Sequence, residues 1–294
     1  QELNQQANTH TRVTFPGIKK LHEEGYTGKG VKIGILDTGI DYNHPDLHDA
    51  YKGGYDFVDN DNDPMETTYD DWKKSGNPQT NLSGGTYYTE HGTHDAGIIA
   101  GQGKNNTDYA VEGVAPDADI YSYRVLGPYG SGSTAGILAG IEKAVADGMD
   151  IISMSLGANY NDPMYVTSIA VNNAVLAGVT TVVAAGNAGD KMYTLGSPGT
   201  SPLAITVGAN DVSENITTFK GVIDTVSADI RLLAQNYTDN IPALKGQTLP
   251  VVDVGLGGLS DYSGKDVKGK IVLVSRGTYA INDKVKYAKE NGAV

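Results

Sequence analysis

The chain has 294 residues, among them 38 Gly, 18 Tyr, 11 Pro and no Cys, and its 22 Lys+Arg against 35 Asp+Glu leave a formal net charge of −13. With 39 % apolar and 19 % charged residues it is neither a disordered tail nor a coiled coil, and it is long enough for a buried core in one large domain or two smaller ones. The absence of Cys removes thiolate chemistry, disulfides and Cys-ligated zinc, the negative charge disfavours nucleic acid as a partner, and no apolar run approaches the ~18 residues of a membrane span.

Residues 1–24 read as a tail or processing remnant. Gln1 to His10 carry neither a basic n-region nor an apolar h-region, so a signal peptide is expected to have been removed or never present. Residues 31–36 are β-branched and apolar and end at Asp37-Thr38-Gly39, which predicts a buried strand running into a turn. Further strands are predicted at 120–123, 150–154, 179–184 and 204–207. Helices are predicted at 93–100, 134–147 and 163–177. The helix at 134 opens on a capping Ser/Thr pair and stops before Gly148. This alternation predicts an α/β fold with a mostly parallel sheet covered by helices, and active groups beyond the carboxyl ends of the strands. Past about residue 211 the crossovers stop: 212–270 read as short strands and turns, 269–274 as a strand, and a helix starts near 280. The expected division is therefore 25–215 and 216–294.

Three short motifs carry chemistry. Asp37 is either an ordinary turn residue or a carboxylate that orients an imidazole and stabilises its cation. An aspartic-type hydrolase would need a second Asp-Thr-Gly or Asp-Ser-Gly, and the chain has none. His91-Gly92-Thr93-His94-Asp95-Ala96-Gly97 opens a helix, with Gly92 and Ala96 permitting close backbone packing beside His91. A zinc site built on His91 and His94 would want a third ligand and a general base, but Gly and Thr lie between them, so His94 reads as structural. Asn187, in Ala185-Gly186-Asn187-Ala188-Gly189 after a strand, is either a turn residue or a donor aimed at a developing oxyanion.

Taken in order, Asp37-Thr-Gly, His91-Gly-Thr-His and Ala185-Gly-Asn187 resemble the subtilisin-like serine proteases. Tyr42-Asn43-His44-Pro45-Asp46-Leu47 and Gly113-Val114-Ala115-Pro116 add to the likeness. So do Val125-Leu126-Gly127 with Gly130, Ser131 and Gly132, which look like the edge strand that pairs with substrate backbone. Ser153-Met154-Ser155-Leu156-Gly157 look like the opposite wall of the specificity pocket. Residues 55–61 and the run Gly269-Lys270-Ile271-Val272-Leu273-Val274-Ser275-Arg276-Gly277 resemble the secreted bacterial minor extracellular protease group, in which a protease-associated (PA) domain interrupts the catalytic domain.

The resemblance implies a subtilisin-like sheet with helices on both faces, followed by a partial, β-rich PA insert. It implies a secreted endopeptidase acting on protein or peptide substrates, with a cognate propeptide or inhibitor as a further partner. Asp37 and His91 would be the first two members of a triad and Asn187 the oxyanion donor. Gly130, Ser131, Gly132, Ser155, Leu156, Gly157 and Gly186 would line the peptide. No cofactor is required for the chemistry. Structural calcium fits the family, with Asp46 at one ligand position.

Two features depart from the family pattern. The nucleophile motif Gly-Thr-Ser-x-Ala-x-Pro is absent, and Ser201 in the one Gly-Thr-Ser is followed by Pro202 and a strand rather than a helix. The chain is therefore expected to be the front part of a longer protease, inactive alone, with a catalytically dead peptide-binding module as the rival reading. Asp95 replaces the apolar residue usual after His-Gly-Thr-His, and is either a first-turn helix carboxylate or a group that raises the basicity of His91. Asp59-Asn60-Asp61-Asn62-Asp63 is either a solvated acidic loop or a weak metal site, with Pro64 where an EF-hand needs Gly.

Overall fold

The computed structural model describes residues 16–105, 112–209, 218–232, 241–279 and 281–294. The chain divides into two units, Gln1–Thr68 with Tyr88–Thr217, and Tyr69–Tyr87 with Thr218–Val294. Residues 1–15 of the expected tail lie outside the described residues, as does the expected boundary at 215/216, whereas the rest of that tail contains the helix Pro16–Glu23.

In the first unit, helix α1 (Pro16–Glu23) leads to strands β1 (Lys32–Asp37) and β2 (Tyr51–Asp56). After α2 (Tyr69–Ser75), which belongs to the second unit, come α3 (His91–Ala100), β3 (Asp119–Arg124), α4 (Thr134–Ala146), β4 (Ile151–Met154), α5 (Val166–Leu176), β5 (Thr180–Ala184) and β6 (Ile205–Val207). These six strands form one sheet in the order β2-β3-β1-β4-β5-β6, with every neighbouring pair parallel. A parallel sheet must be covered on both faces, and β1 shows how the sequence achieves it. Its alternating side chains go to opposite sides: Ile33 and Ile35 pack with Ala96 and Ala100 of α3, while Leu36 packs with Ile141 and Ala144 of α4 and Val171 and Ala174 of α5.

The predicted α4 is capped as its sequence suggests, Ser133 Oγ accepting the Gly136 N–H at 3.0 Å. Strand β2 was not predicted, because Tyr-Lys-Gly-Gly-Tyr-Asp lacks β-branched residues and its Gly pair reads as a turn. The structure shows the reason for the glycine: a Cβ on Gly54 would lie 1.7 Å from the Ser122 carbonyl oxygen of β3.

The second unit holds α2, an antiparallel hairpin β7 (Thr218–Ile223) and β8 (Val226–Arg231), a parallel pair β9 (Val251–Asp253) and β10 (Ile271–Leu273), and α6 (Ile281–Glu290). The strand predicted at 269–274 is three residues long, and the segment Tyr69–Tyr87 groups with this unit although its sequence lies within the first expected domain. A separate small core forms around Val254, Tyr262 and Val267. Lys284 is 7 % exposed, and its Nζ donates to the carbonyls of Leu256 at 2.6 Å, Ser275 at 2.7 Å and Gly277 at 2.8 Å. No helix among the described residues is long and apolar enough to cross a membrane.

Candidate active site

Asp37 is the last residue of β1, at the centre of the sheet, where the strand order reverses and connections leave in opposite directions. Ligands of open α/β sheets bind at such points. Its side chain is 1 % exposed, and Oδ1 accepts hydrogen bonds from the Thr38 N–H at 2.6 Å and from His91 Nδ1 at 2.8 Å. The contact joins residues 54 positions apart and depends on how α3 is seated. Thr38 Oγ1 accepts the Gly92 N–H at 2.9 Å. A Cβ on Gly92 would lie 2.2 Å from the Gly39 carbonyl oxygen and 3.1 Å from Asp37 Cβ, so only glycine lets the helix start this close to the end of β1.

A second anchor is Glu66, which the sequence reading missed. The residue before α3, Glu90, makes no side-chain cap. The buried Glu66 does this work from outside the helix: Oε1 accepts the Thr93 N–H and Oγ1–H, both at 2.9 Å, and Oε2 accepts the Thr89 hydroxyl at 2.6 Å. Thr93 Oγ1 in turn accepts the Asp41 N–H at 2.8 Å. Orphan N–H groups at the helix start are thereby satisfied by Thr38 and Glu66.

The third anchor is Arg124, 4 % exposed at the end of β3. Its Nη1 pairs with Asp56 at 2.7 Å and Asp59 at 2.8 Å, Nη2 donates to Thr67 Oγ1 at 2.6 Å, and Nε to the Thr38 carbonyl at 3.2 Å. One guanidinium thus ties the ends of β1, β2 and β3 together behind Asp37. The only hint in the sequence was an Arg inside an otherwise buried strand downstream of an acidic run.

The carboxylates of the acidic loop meet protein donors. Asp56 and Asp59 serve Arg124, Asp61 Oδ1 accepts the Asp63 N–H at 2.8 Å, and Asp63 accepts the Tyr42 hydroxyl at 2.8 Å, an interaction that pushes the phenol up to about 12. Among the described residues, the group of three His, Asp or Glu side chains close enough to share an ion is Asp37, His91 and Asp95.

Burial pushes the Asp37 carboxyl upward, and the bond from His91 opposes that. His91 is pushed up to about 9, chiefly by its hydrogen bond to Asp37, with desolvation acting against it and the charges of Asp37, Asp95 and Glu66 adding to it. Because Nδ1 is committed to Asp37, Nε2 is the nitrogen left to exchange protons.

The remaining expected residues fall at the same edge of the sheet with varied roles. Asn187 is exposed in the loop after β5, two strands and about 10 Å across the sheet from β1. Gly186 beside it has φ 109°, a conformation that glycine adopts freely. Ser155 and Gly157 are exposed beyond β4, between those two strands, but the Leu156 side chain is 8 % exposed and belongs to the core cluster. Leu156 therefore supports the wall from behind. Ala158 pairs with Ser197 in an antiparallel bridge that closes this region.

The stretch expected to pair with substrate backbone, Gly130, Ser131 and Gly132, leaves a tight turn, and Ser131 has extended backbone at φ −109° and ψ 146°. Pro128–Gly130 make a 3-10 turn, and the Gly127 N–H closes on the Ser131 carbonyl at 2.7 Å, leaving all three residues exposed. Ser201 is buried, and its hydroxyl bonds Asn172 Oδ1 of α5 at 2.5 Å, so it is engaged in packing rather than with an imidazole. Asp46 accepts the Asn105 N–H at 2.6 Å; the loop beyond, 106–111, lies outside the described residues, so a calcium donor set is not assembled from what is described.

Two family models match the chain, meeting near residue 248 within the second unit. The model of the subtilase family matches residues 28–249, and that of the PA domain matches residues 247–294. The chain is 43 % identical over 285 residues to the minor extracellular protease Vpr of Bacillus subtilis (strain 168), a match covering 95 % of this chain and 32 % of that protein. It is 39 % identical over 201 residues to subtilisin E of the same organism, covering 68 % of this chain and 46 % of the relative. Among solved structures it is similar to sphericase, with a TM-score of 0.50 at 35 % identity, covering 68 % of this chain and 61 % of the other. The chain thus spans 32 % and 46 % of the length of these two curated relatives.

Proposed function

Because this chain belongs to the subtilase family, we propose that it carries the Asp-His half of a secreted serine endopeptidase acting on proteins or peptides. The observation that carries the reading is the buried Asp37 carboxylate bonded to a half-exposed His91 at the switch point of the sheet. In the proposed reaction a serine hydroxyl attacks the scissile carbonyl carbon while its proton passes to His91 Nε2. The oxyanion that forms receives a hydrogen bond from the Asn187 side-chain amide. As the C–N bond breaks, His91 returns the proton to the leaving amine, and water then hydrolyses the acyl-serine by the same route. Asp37 stays ionised throughout, holding the imidazole and offsetting its charge.

We place the nucleophilic serine outside these 294 residues, since the motif that presents it does not occur in them and Ser201 is committed to Asn172. The chain alone is then expected to turn over no substrate. Substrate backbone would run across the exposed residues Gly130, Ser131 and Gly132 on one side and Ser155 and Gly157 on the other, with Gly186 at its base. No cofactor enters this chemistry.

The test is hydrolysis of a fluorogenic peptide library by the full-length protein. Asn187→Ala should lower kcat by about 10²–10³ with KM little changed. An unchanged kcat would remove Asn187 from the oxyanion role. Absence of hydrolysis together with retained peptide binding would favour a non-catalytic peptide-binding protein.

A further inference from the structure

Three acidic side chains bear on the His91 imidazole: Asp37 from the end of β1, Glu66 from the segment that follows β2, and Asp95 from the next turn of α3. Two of them have evident work. Asp37 holds Nδ1, and both oxygens of Glu66 accept from Thr89 and Thr93. Asp95 does not. Its side chain is 16 % exposed, and its Oδ2 is enclosed with no hydrogen-bond partner. His94, itself half-exposed, brings Nδ1 no nearer than 3.9 Å to Asp95 Oδ1, too long for a hydrogen bond. Nor is Asp95 a first-turn carboxylate: it is the fifth residue of α3, whose start is already satisfied by Thr38 and Glu66.

The second oxygen of Asp37, Oδ2, is likewise buried and unpartnered. A carboxylate oxygen of Asp37, one of Asp95 and a ring nitrogen of His91 all lie within 4.8 Å of one another. Two enclosed carboxylates this close repel each other unless a positive charge stands between them. The group placed to supply it is the protonated imidazole.

Building on the protease reading, we propose that Asp95 is a second acidic positioning residue for His91, supplementing Asp37 in stabilising the imidazolium formed when His91 takes the serine proton. The hydroxyl O–H breaks and the Nε2–H forms; Asp95 remains ionised and receives no proton. The charges of both carboxylates act in the direction that holds the proton on His91. The chain would thereby trade activity at neutral pH for a stronger proton acceptor, with its working range moved toward alkaline pH.

The experiment compares wild type, Asp95→Asn and Asp95→Val in the full-length protein. It follows the His91 imidazole by NMR with ¹³C-labelled histidine, assigned through His91→Gln, and kcat/KM as a function of pH. Both variants should lower the imidazole midpoint and the acid limb of kcat/KM by about half a unit to one unit. A uniform loss of activity at every pH with an unmoved imidazole titration would overturn the proposal, because a purely packing role gives that result. If Asp95→Val does not fold, the near-isosteric Asp95→Asn decides. If the wild type hydrolyses no peptide, the protease reading falls, and the imidazole titration alone judges the pairing: a shift upholds it and its absence overturns it.

Discussion

His91 shows how much of this site is one hydrogen bond. Its basicity is raised to about 9 chiefly because Asp37, buried and acceptor-only when ionised, takes the Nδ1 proton. The sign follows from linkage. A histidine held above its unfolded value near 6.5 adds stability that is complete below that value and is lost as pH rises through about 9. For catalysis the same shift works against the neutral base, so the acid limb of kcat/KM is expected on the alkaline side of 6.5. Asp37→Asn should bring the imidazole midpoint back down and reduce kcat by about 10⁴, since the amide favours the wrong tautomer. A pH–rate series on the full-length protein checks both effects, and an acid limb that stays in place after Asp37→Asn would remove the bond as its cause.

At the scale of elements, the site is a matter of docking one helix against one strand end. α3 has no cap from its own sequence and is held by Glu66 and Thr38 instead. Glu66→Ala is expected to destabilise the first unit by about 1–2 kcal/mol, the usual loss for a removed cap, and to lower kcat because His91 rides on the loosened turn. Thermal unfolding and kinetics of the variant measure the two effects together, and a lower Tm with full activity would separate helix stability from His91 placement. These tertiary anchors mark the limit of what could be read in advance. β1, α4 and its Ser133 cap were legible because their signals are local: a β-branched run, a capping residue, a helical period. Asp37 and His91 were legible because each sits at a strand or helix end with its own motif. Glu66 was not, because it caps a helix 25 residues further along the chain. Arg124 was not, because its partners Thr38, Asp56, Asp59 and Thr67 lie at or beyond the ends of other strands, far away in sequence. The tight turn at Pro128–Gly130 was not legible either, because Tyr129 enters it with a positive φ of 63° that its residue type does not announce.

At the scale of the whole molecule, the described residues form two cores of unequal size, a large one split across both faces of the parallel sheet and a small one around Val254, Tyr262 and Val267. Family likeness follows the same inequality: the subtilase match covers the sheet and its helices, and the PA match begins only at residue 247. In the small unit, an apolar core this modest is supplemented by the amine of Lys284, whose three N–H donors each meet a main-chain carbonyl from loops near residues 256 and 275–277. An acylating reagent needs that nitrogen's lone pair and a clear approach, and the folded unit denies it both. Acetylation of Lys284, followed by mass spectrometry beside an exposed reference such as Lys29, should therefore be slower than the reference by orders of magnitude and should accelerate with mild denaturant. Labelling at the rate of Lys29 would show that the loops open freely. One side chain thus serves as a built-in stopwatch, recording how often the smaller half of the protein comes apart while the larger half stays closed.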